Sequence, residues 1–340
     1  MEKGRTTYLG MNPAPSGASP EPYGSRARVN QNDSYLGVDL GATNLHFILV
    51  NKMGKILREK IIPTPRESEK AVEEIIFQTR CLIQKSTKTV GISVAGLVNQ
   101  KKGIIHFSPN LGWKNLEVIK KIKKYFPRLK VILENDANTA AWGAYFLIGK
   151  KKIKNLICLT LGTGLGGGII INGQLYRGVS GSAGEIGHII LYPQGLRCNC
   201  GNYGCIERYV GVNYLVEMAK KEIIQGRKSI IMKLVKGDLK KITPEIIAQA
   251  ADKNDRLAKN IWEKMGKNLG ITLSGIINLL NPGMVVLTGG ISKSAKFFLG
   301  ELKKTLKKNT FSEPLKRVKI VTVKKNLGAI GAALLPRDNY

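Results

Sequence analysis

The chain has 340 residues, of which 43% are hydrophobic and 38 are glycine, and a formal net charge of +30. That length buries a substantial core, most simply as two domains, and the apolar content excludes a disordered or fibrous protein. No apolar run reaches bilayer length and no signal-peptide core is present, so a cytoplasmic protein without a membrane partner is expected.

The charge has two readings. One is a nucleic-acid or anionic-membrane partner. The other is a set of solvated helix faces. The runs at Lys120–Lys124, Lys150–Lys154 and Lys303–Lys308 are interleaved with helix-period apolar residues. No aromatic residues alternate with them to stack on single strands. Solvated faces are therefore preferred, and a nucleic-acid partner is not expected.

In chain order, residues 1–33 are rich in Pro, Gly, Ser, Asn and Arg and read as a disordered arm, too short for a helix-turn-helix module. From Tyr35, two apolar runs joined by a turn with Gly41, Thr43 and Asn44 read as a buried β-hairpin. A third strand is expected near Ile56–Ile62. Residues 70–85 place Val72, Ile75, Ile76, Thr79, Leu82 and Ile83 on one helical face. Thr89–Val94 reads as a strand ending at Ala95-Gly96, followed by a loop with Asn110 and Trp113. A helix from about Leu116 stops before Pro127. Val131–Leu133 is a strand that runs into Glu134-Asn135-Asp136, where a small-residue helix opens.

At Leu156 the first pattern returns: LICLTLGTGLGGGIIING follows the plan of residues 35–52. Such a repeat implies two halves built alike, facing each other across a cleft. Helices are expected over 210–225, 244–252 and 256–280, the last with Gly266, Gly270 and Gly275 for close packing. Strands at Met284–Leu287 and Val318–Val323 and a helix at Asn326–Leu335 complete the chain.

Three motifs carry chemistry. The turns at Asp39–Asn44 and Leu161–Gly168 present backbone N–H groups that approach phosphate oxygens closely. Thr43 and Thr163 would add hydroxyl donors, and Asp39 would hold a water on Mg²⁺. Singly, each turn is an ordinary hairpin. As a pair on opposite halves, they most simply clamp a nucleotide, although no P-loop or dinucleotide fingerprint is present. Asn135-Asp136 stands at the C-terminal end of a buried strand, where ligands of open α/β sheets gather. An Asp opening a helix there is either an N-cap or a catalytic base. Gly96 and Asn110 are expected to converge on the same crevice. The third motif is C-x-C-x₄-C at Cys198, Cys200 and Cys205, with His188 upstream. Three cysteines and a histidine suit a closed tetrahedral zinc site, structural because no position stays open. Buried free thiols are the alternative.

Together, DLGATN, SPNLGW, ENDANTAAWG, LGTGLGGG, GEIGH and CNCGNYGCIE resemble the ROK family of repressors and sugar kinases, a branch of the actin/hexokinase/Hsp70 superfamily. The resemblance runs from about Tyr35 to Leu335. It implies an α/β fold of two ribonuclease-H-like, actin-like ATPase lobes around a central cleft. The small lobe would span 34–138 plus a C-terminal helix 326–336, and the large lobe 139–325 with a zinc loop 181–207. Asp136 matches the family's catalytic base. Gly96, Asn110, Asn135, Asp136, Glu185, His188 and Glu207 match sugar-pocket positions. His188, Cys198, Cys200 and Cys205 match zinc ligands. Asp39, Gly41, Thr43 and Asn44 match the first phosphate loop, Thr163 and Gly164 the second, and Gly289 and Gly290 the adenosine loop. ATP, Mg²⁺ and structural Zn²⁺ are the implied cofactors, and a homodimer is the usual assembly. Asn99 replaces a usual Asp and Ala42 a frequent Gly, neither at the chemistry.

The activity so implied is ATP-dependent phosphorylation of a hexose. Glucose at O6 comes first, because GSAGEIGH resembles the glucokinase form of that motif. N-acetylmannosamine, N-acetylglucosamine, fructose and allose are the alternatives. A sugar-responsive repressor is the reading from another class. Such members carry an N-terminal winged helix-turn-helix that residues 1–33 do not provide.

Overall fold

The structure, a computed structural model, describes residues 33–149 and 153–338. All but the last residue of the expected arm, and the first three of the lysines at 150–154, lie outside them.

The first lobe opens with the expected hairpin, β1 (Ser34–Leu40) and β2 (Asn44–Asn51), whose register sets Asp39 opposite His46. Its near-continuous apolar runs suit strands covered on both faces. β3 (Ile56–Pro63) is the exposed edge, and α1 (Ser68–Leu82) buries Val72, Ile75, Ile76 and Leu82 at helical spacing. β4 (Thr87–Val94) then returns parallel to β1. A small antiparallel sheet follows, of β5 (Leu97–Asn99), β6 (Ile104–Ser108) and β7 (Trp113–Leu116), where a loop was expected. After α2 (Val118–Tyr125), β8 (Lys130–Asn135) pairs parallel with β4. The sheet order is β3-β2-β1-β4-β8.

The second lobe repeats this plan. α3 (Asp136–Ala144) leads into β9 (Leu156–Leu161), β10 (Leu165–Ile171) and β11 (Gln174–Tyr176). Helices follow at α4 (Val212–Ile224), α5 (Ile231–Leu234), α6 (Pro244–Asp252) and α7 (Arg256–Leu280). α6 starts where expected of its sequence: Thr243 caps the Ile246 amide, and Pro244 takes the first turn. β12 (Met284–Thr288), α8 (Leu299–Asn309), α9 (Ser312–Arg317) and β13 (Lys319–Thr322) complete the lobe, and α10 (Leu327–Asp338) returns to pack on β1 and β4 of the first. Its sheet order, β11-β10-β9-β12-β13, has the same three antiparallel and two parallel strands as the first. The internal repeat is thus realised as two sheets of one topology.

α3 and α10 pack together between the sheets and share one apolar core with β1, β2, β9 and β12. Close approach is built in by small residues. A Cβ at Gly91 of β4 would lie 1.8 Å from the Ala332 carbonyl, and one at Gly331 would lie 1.7 Å from the Thr139 carbonyl. The expected lobe boundary at 138/139 falls inside α3, a helix that contacts both sheets. On α7, Gly266 and Gly270 do admit the backbone and side chains of the 298–305 segment, whereas Gly275 faces open space. The lysines of α2 and α8 alternate with buried Ile122, Leu302 and Leu306, so those runs are solvated helix faces.

Candidate active site

The cleft between the lobes contains a cavity of about 300 Å³ lined by Asp39, Asp136, Thr160, Thr288, Gly289, Gly290, Lys293, Lys324, Lys325 and Asn326. It collects the ends of β1, β9 and β12 with the start of α3, the carboxyl edge of both sheets. Sequence reasoning placed Asp39, Asp136, Gly289 and Gly290 here. It missed the three lysines and Asn326.

Asp136 is the first residue of α3. The cap is its neighbour: the Asn135 amide oxygen accepts from Ala137 N at 2.9 Å and Asn138 N at 3.2 Å. The Asn135 amide nitrogen donates to the Gly96 carbonyl at 3.2 Å. Asn135 therefore performs the capping that the sequence left open for Asp136, and the Asp136 carboxyl faces the cavity. One Asp136 oxygen accepts from Ala137 N at 2.9 Å. Burial, then the charge of Asp39 and more weakly that of Glu185, push the carboxyl up to about 6, against the lowering by backbone amides.

Asp39, at the end of β1, accepts from the Asn326 amide at 3.2 Å. The same Asn326 nitrogen lies 2.7 Å from His46 Nδ1, while its oxygen accepts from Ala329 N and so caps α10. Burial raises the Asp39 carboxyl, and bonds from Asn326 and Ser93 and the nearby His46 oppose that rise. A capping Asn before a small-residue helix was the signal for Asn326. Its partner 287 residues away was not.

The first turn closes by Gly41 N to Asn44 O at 3.1 Å and is braced by Thr64, whose hydroxyl donates to Gly41 O at 2.7 Å. Ala42, Thr43 and Asn44 are exposed at its tip. The second turn closes by Gly162 N to Gly164 O at 3.0 Å. None of Gly41, Thr43, Asn44, Thr163 and Gly164 lines the cavity itself. Glu207 leans on the second turn: its carboxylate accepts from Leu165 N at 3.1 Å, and a Cβ at Gly164 would lie 2.0 Å from it.

Gly96 takes φ +128°, and a Cβ there would meet the Phe107 carbonyl at 2.3 Å. Only glycine accommodates that approach without strain. Asn110 is exposed in the turn after β6. Glu185 is exposed, 3.9 Å from His188 Nε2.

His188, Cys198, Cys200 and Cys205 gather as expected, their ligand atoms all within 4.8 Å of one another. His188 Nδ1 lies 3.8 Å from Cys198 Sγ, and the sulfurs of Cys200 and Cys205 are 3.6 Å apart. A tetrahedron with Zn–S of about 2.3 Å and Zn–N of about 2.0 Å has edges of roughly 3.5–3.8 Å. The donor set and spacing therefore fit Zn²⁺. With Nδ1 turned to the sulfurs, Nε2 is directed to Glu185.

Residues 35–339 match the ROK family. The chain belongs to that family. Its ROK relatives include the glucokinase of Streptomyces coelicolor, 34% identical over 309 residues covering 89% of this chain and 97% of that protein. The xylose repressor of Caldicellulosiruptor bescii is 31% identical over 297 residues, 84% of this chain and 73% of that protein. Among solved ROK structures, a glucokinase from Streptomyces griseus in complex with glucose and AMPPNP superposes with a TM-score of 0.78 at 32% identity, covering 90% of this chain and all of that one. The two-lobed actin-like ATPase fold is thereby shown.

Proposed function

We propose that this chain is an ATP-dependent sugar kinase that phosphorylates glucose at O6. The observation that carries the reading is Asp136: a half-buried carboxyl raised to about 6, in the same cavity as Asp39 and the Gly289-Gly290 loop. A base of that strength is ionised at neutral pH yet accepts a proton more readily than an ordinary carboxylate.

Asp136 takes the proton of the sugar hydroxyl as its oxygen attacks the γ-phosphorus in line, and the bond to the ADP oxygen breaks. Accepting that proton also relieves the repulsion from Asp39 and Glu185 that raised the carboxyl. Mg²⁺, when bound, neutralises the phosphates, and Asp39 is the carboxylate placed to hold it through water. Lys293, Lys324 and Lys325 add positive charge along the same wall. The turns at 41–44 and 163–164 supply amide donors from either lobe.

Glu185 and His188 present an acceptor and a donor to the sugar's hydroxyls. With Nδ1 on the metal, Nε2 of His188 must carry the proton. Zinc held by His188, Cys198, Cys200 and Cys205 would thus set loop shape and tautomer, and the proton transfer is left to Asp136. Asn135, with its oxygen used in the cap, keeps one N–H for a hydroxyl. Glu207 reaches the sugar from its seat on the second turn. Gly96 and Asn110 complete the pocket wall.

Glucose is favoured because the S. coelicolor relative and the S. griseus neighbour are glucokinases, the latter holding glucose. The working protein is a cytoplasmic homodimer without a nucleic-acid or membrane partner. Among the described residues no helix is long and apolar enough to cross a membrane. The repressor relative is the reason to run a gel-shift at physiological salt alongside the assay. The deciding test is coupled ADP release over glucose, fructose, allose, N-acetylmannosamine and N-acetylglucosamine. Glucose should give the highest kcat/KM, and a preference for another sugar refutes the assignment.

A further inference from the structure

Beneath Asp136 lies a carboxylate that the reaction itself does not use. Glu134, two residues earlier on β8, is fully buried. Its Oε1 accepts from the Asn135 backbone at 3.0 Å, the Asn138 amide at 3.0 Å and the Gln100 amide at 3.1 Å. Its Oε2 accepts from Arg177 Nε at 2.8 Å. The first three donors hold the β8–α3 corner and the β5–β6 connection of the first lobe. Arg177 comes from the second lobe, immediately after β11.

The Arg177 end leads straight to the sugar side. Its backbone carbonyl accepts from Ala183 N at 3.0 Å, closing the loop that runs into Gly184-Glu185. Gln100 touches the same loop, since a Cβ at Gly181 would lie 3.1 Å from its amide oxygen. One buried carboxylate therefore ties the corner bearing Asp136 to the loop bearing Glu185 and His188, across the lobe boundary.

We propose that the Glu134–Arg177 ion pair is a positioning latch for phosphoryl transfer, setting Asp136 against the sugar-recognition loop of the opposite lobe. Neither residue is among those lining the cavity that holds Asp39 and Asp136. A buried carboxylate stripped of its guanidinium is strongly unfavourable, so the arrangement that keeps the pair is the one the lobes hold. Arginine suits the task because its rigid planar fork fixes direction as well as charge, which a lysine ammonium does not. The assignment rests on Asp136 as base and Glu185 as sugar ligand for its catalytic consequence. Its structural content is separate.

Two measurements test it in the full-length, zinc-loaded protein. In steady-state kinetics, Arg177→Met should lower kcat about 100-fold, the scale of an ångström's misplacement of a reacting group. The sugar KM should rise about tenfold, while the ATP KM stays within about threefold. Arg177→Lys should recover less than half of the kcat deficit on a logarithmic scale. Equal changes in both KM values, or full recovery by lysine, would overturn the latch. In amide hydrogen exchange without any ligand, Arg177→Met and Glu134→Gln should each raise exchange in 134–138 and in 183–188 together. A rise in one segment alone, or in neither, overturns it. If the wild-type protein phosphorylates no sugar, the function reading fails and the exchange measurement alone decides the latch.

Discussion

Asp136→Asn should make the ligand-free protein more stable at neutral pH while removing its activity. The carboxyl sits at about 6 in the folded chain against an ordinary value of 3.8. The folded state therefore holds a proton that the unfolded chain releases, throughout the window between those values. Stability of the wild-type protein falls as pH rises through that window, the reverse of a salt-bridged carboxylate. A gap of about 2 pH units corresponds to about 3 kcal/mol once both states are ionised. Asparagine has nearly the same shape, carries no charge and keeps an oxygen for the Ala137 amide. It should recover most of that amount above pH 7 and none below about pH 4. For a chain of this size the gain corresponds to a Tm increase of about 4 °C. Thermal melts of both proteins from pH 4 to 8, without nucleotide, magnesium or sugar, provide the assay. An equal Tm at pH 7.5, or a difference that does not shrink on acidification, would refute the reasoning about burial and the Asp39 charge.

Three other outcomes follow from the site. kcat/KM for the sugar should fall tenfold per pH unit below about pH 6, where Asp136 becomes protonated, and Glu185→Gln should move that limb to lower pH by removing a charge that opposes ionisation. A limb that stays put or moves up contradicts the electrostatic assignment. Zinc removal by a chelator should raise the sugar KM at least about tenfold and the ATP KM less, because the ligands adjoin Glu185 while only Glu207 reaches the second turn. Equal loss of both affinities would argue against His188 as the zinc-set donor. Gly91→Ala drives a Cβ to 1.8 Å from the Ala332 carbonyl, so α10 must shift. A stability loss of about 1–3 kcal/mol is expected, read by denaturant melts, and a neutral result would show that α10 is not held as tightly as the packing implies.

Much of the fold was legible because it is written in local patterns. The apolar runs around Gly41 and Gly162 marked the paired hairpins, and their repetition marked two lobes of one topology. The ranges expected for α6 and α7, 244–252 and 256–280, are the ones the helices occupy. The three short strands between Leu97 and Leu116 were not legible, since three- to five-residue strands are specified by their partners and not by their own sequence. At the site, the Cys/His spacing foretold a cluster, and Asn135-Asp136 foretold a carboxyl at a strand end. That Asn135 caps the helix and frees Asp136 is not encoded in the adjacent pair, since either side chain could have capped α3. The Asn326–Asp39 bond and the Glu134–Arg177 pair were invisible for one reason: each joins distant parts of the chain, and single-residue chemistry carries no trace of that pairing.

The central claim is that Asp136 is the base of an ATP-to-sugar transfer. It is tested most directly by comparing ADP release from wild-type and Asp136→Asn protein at pH 7.5 with saturating ATP, magnesium and glucose, the zinc content of both verified. The variant is expected to lose about 10²–10⁴-fold in kcat while its glucose KM changes little. Glucose-dependent transfer within tenfold of wild type, with zinc still bound, would contradict the account.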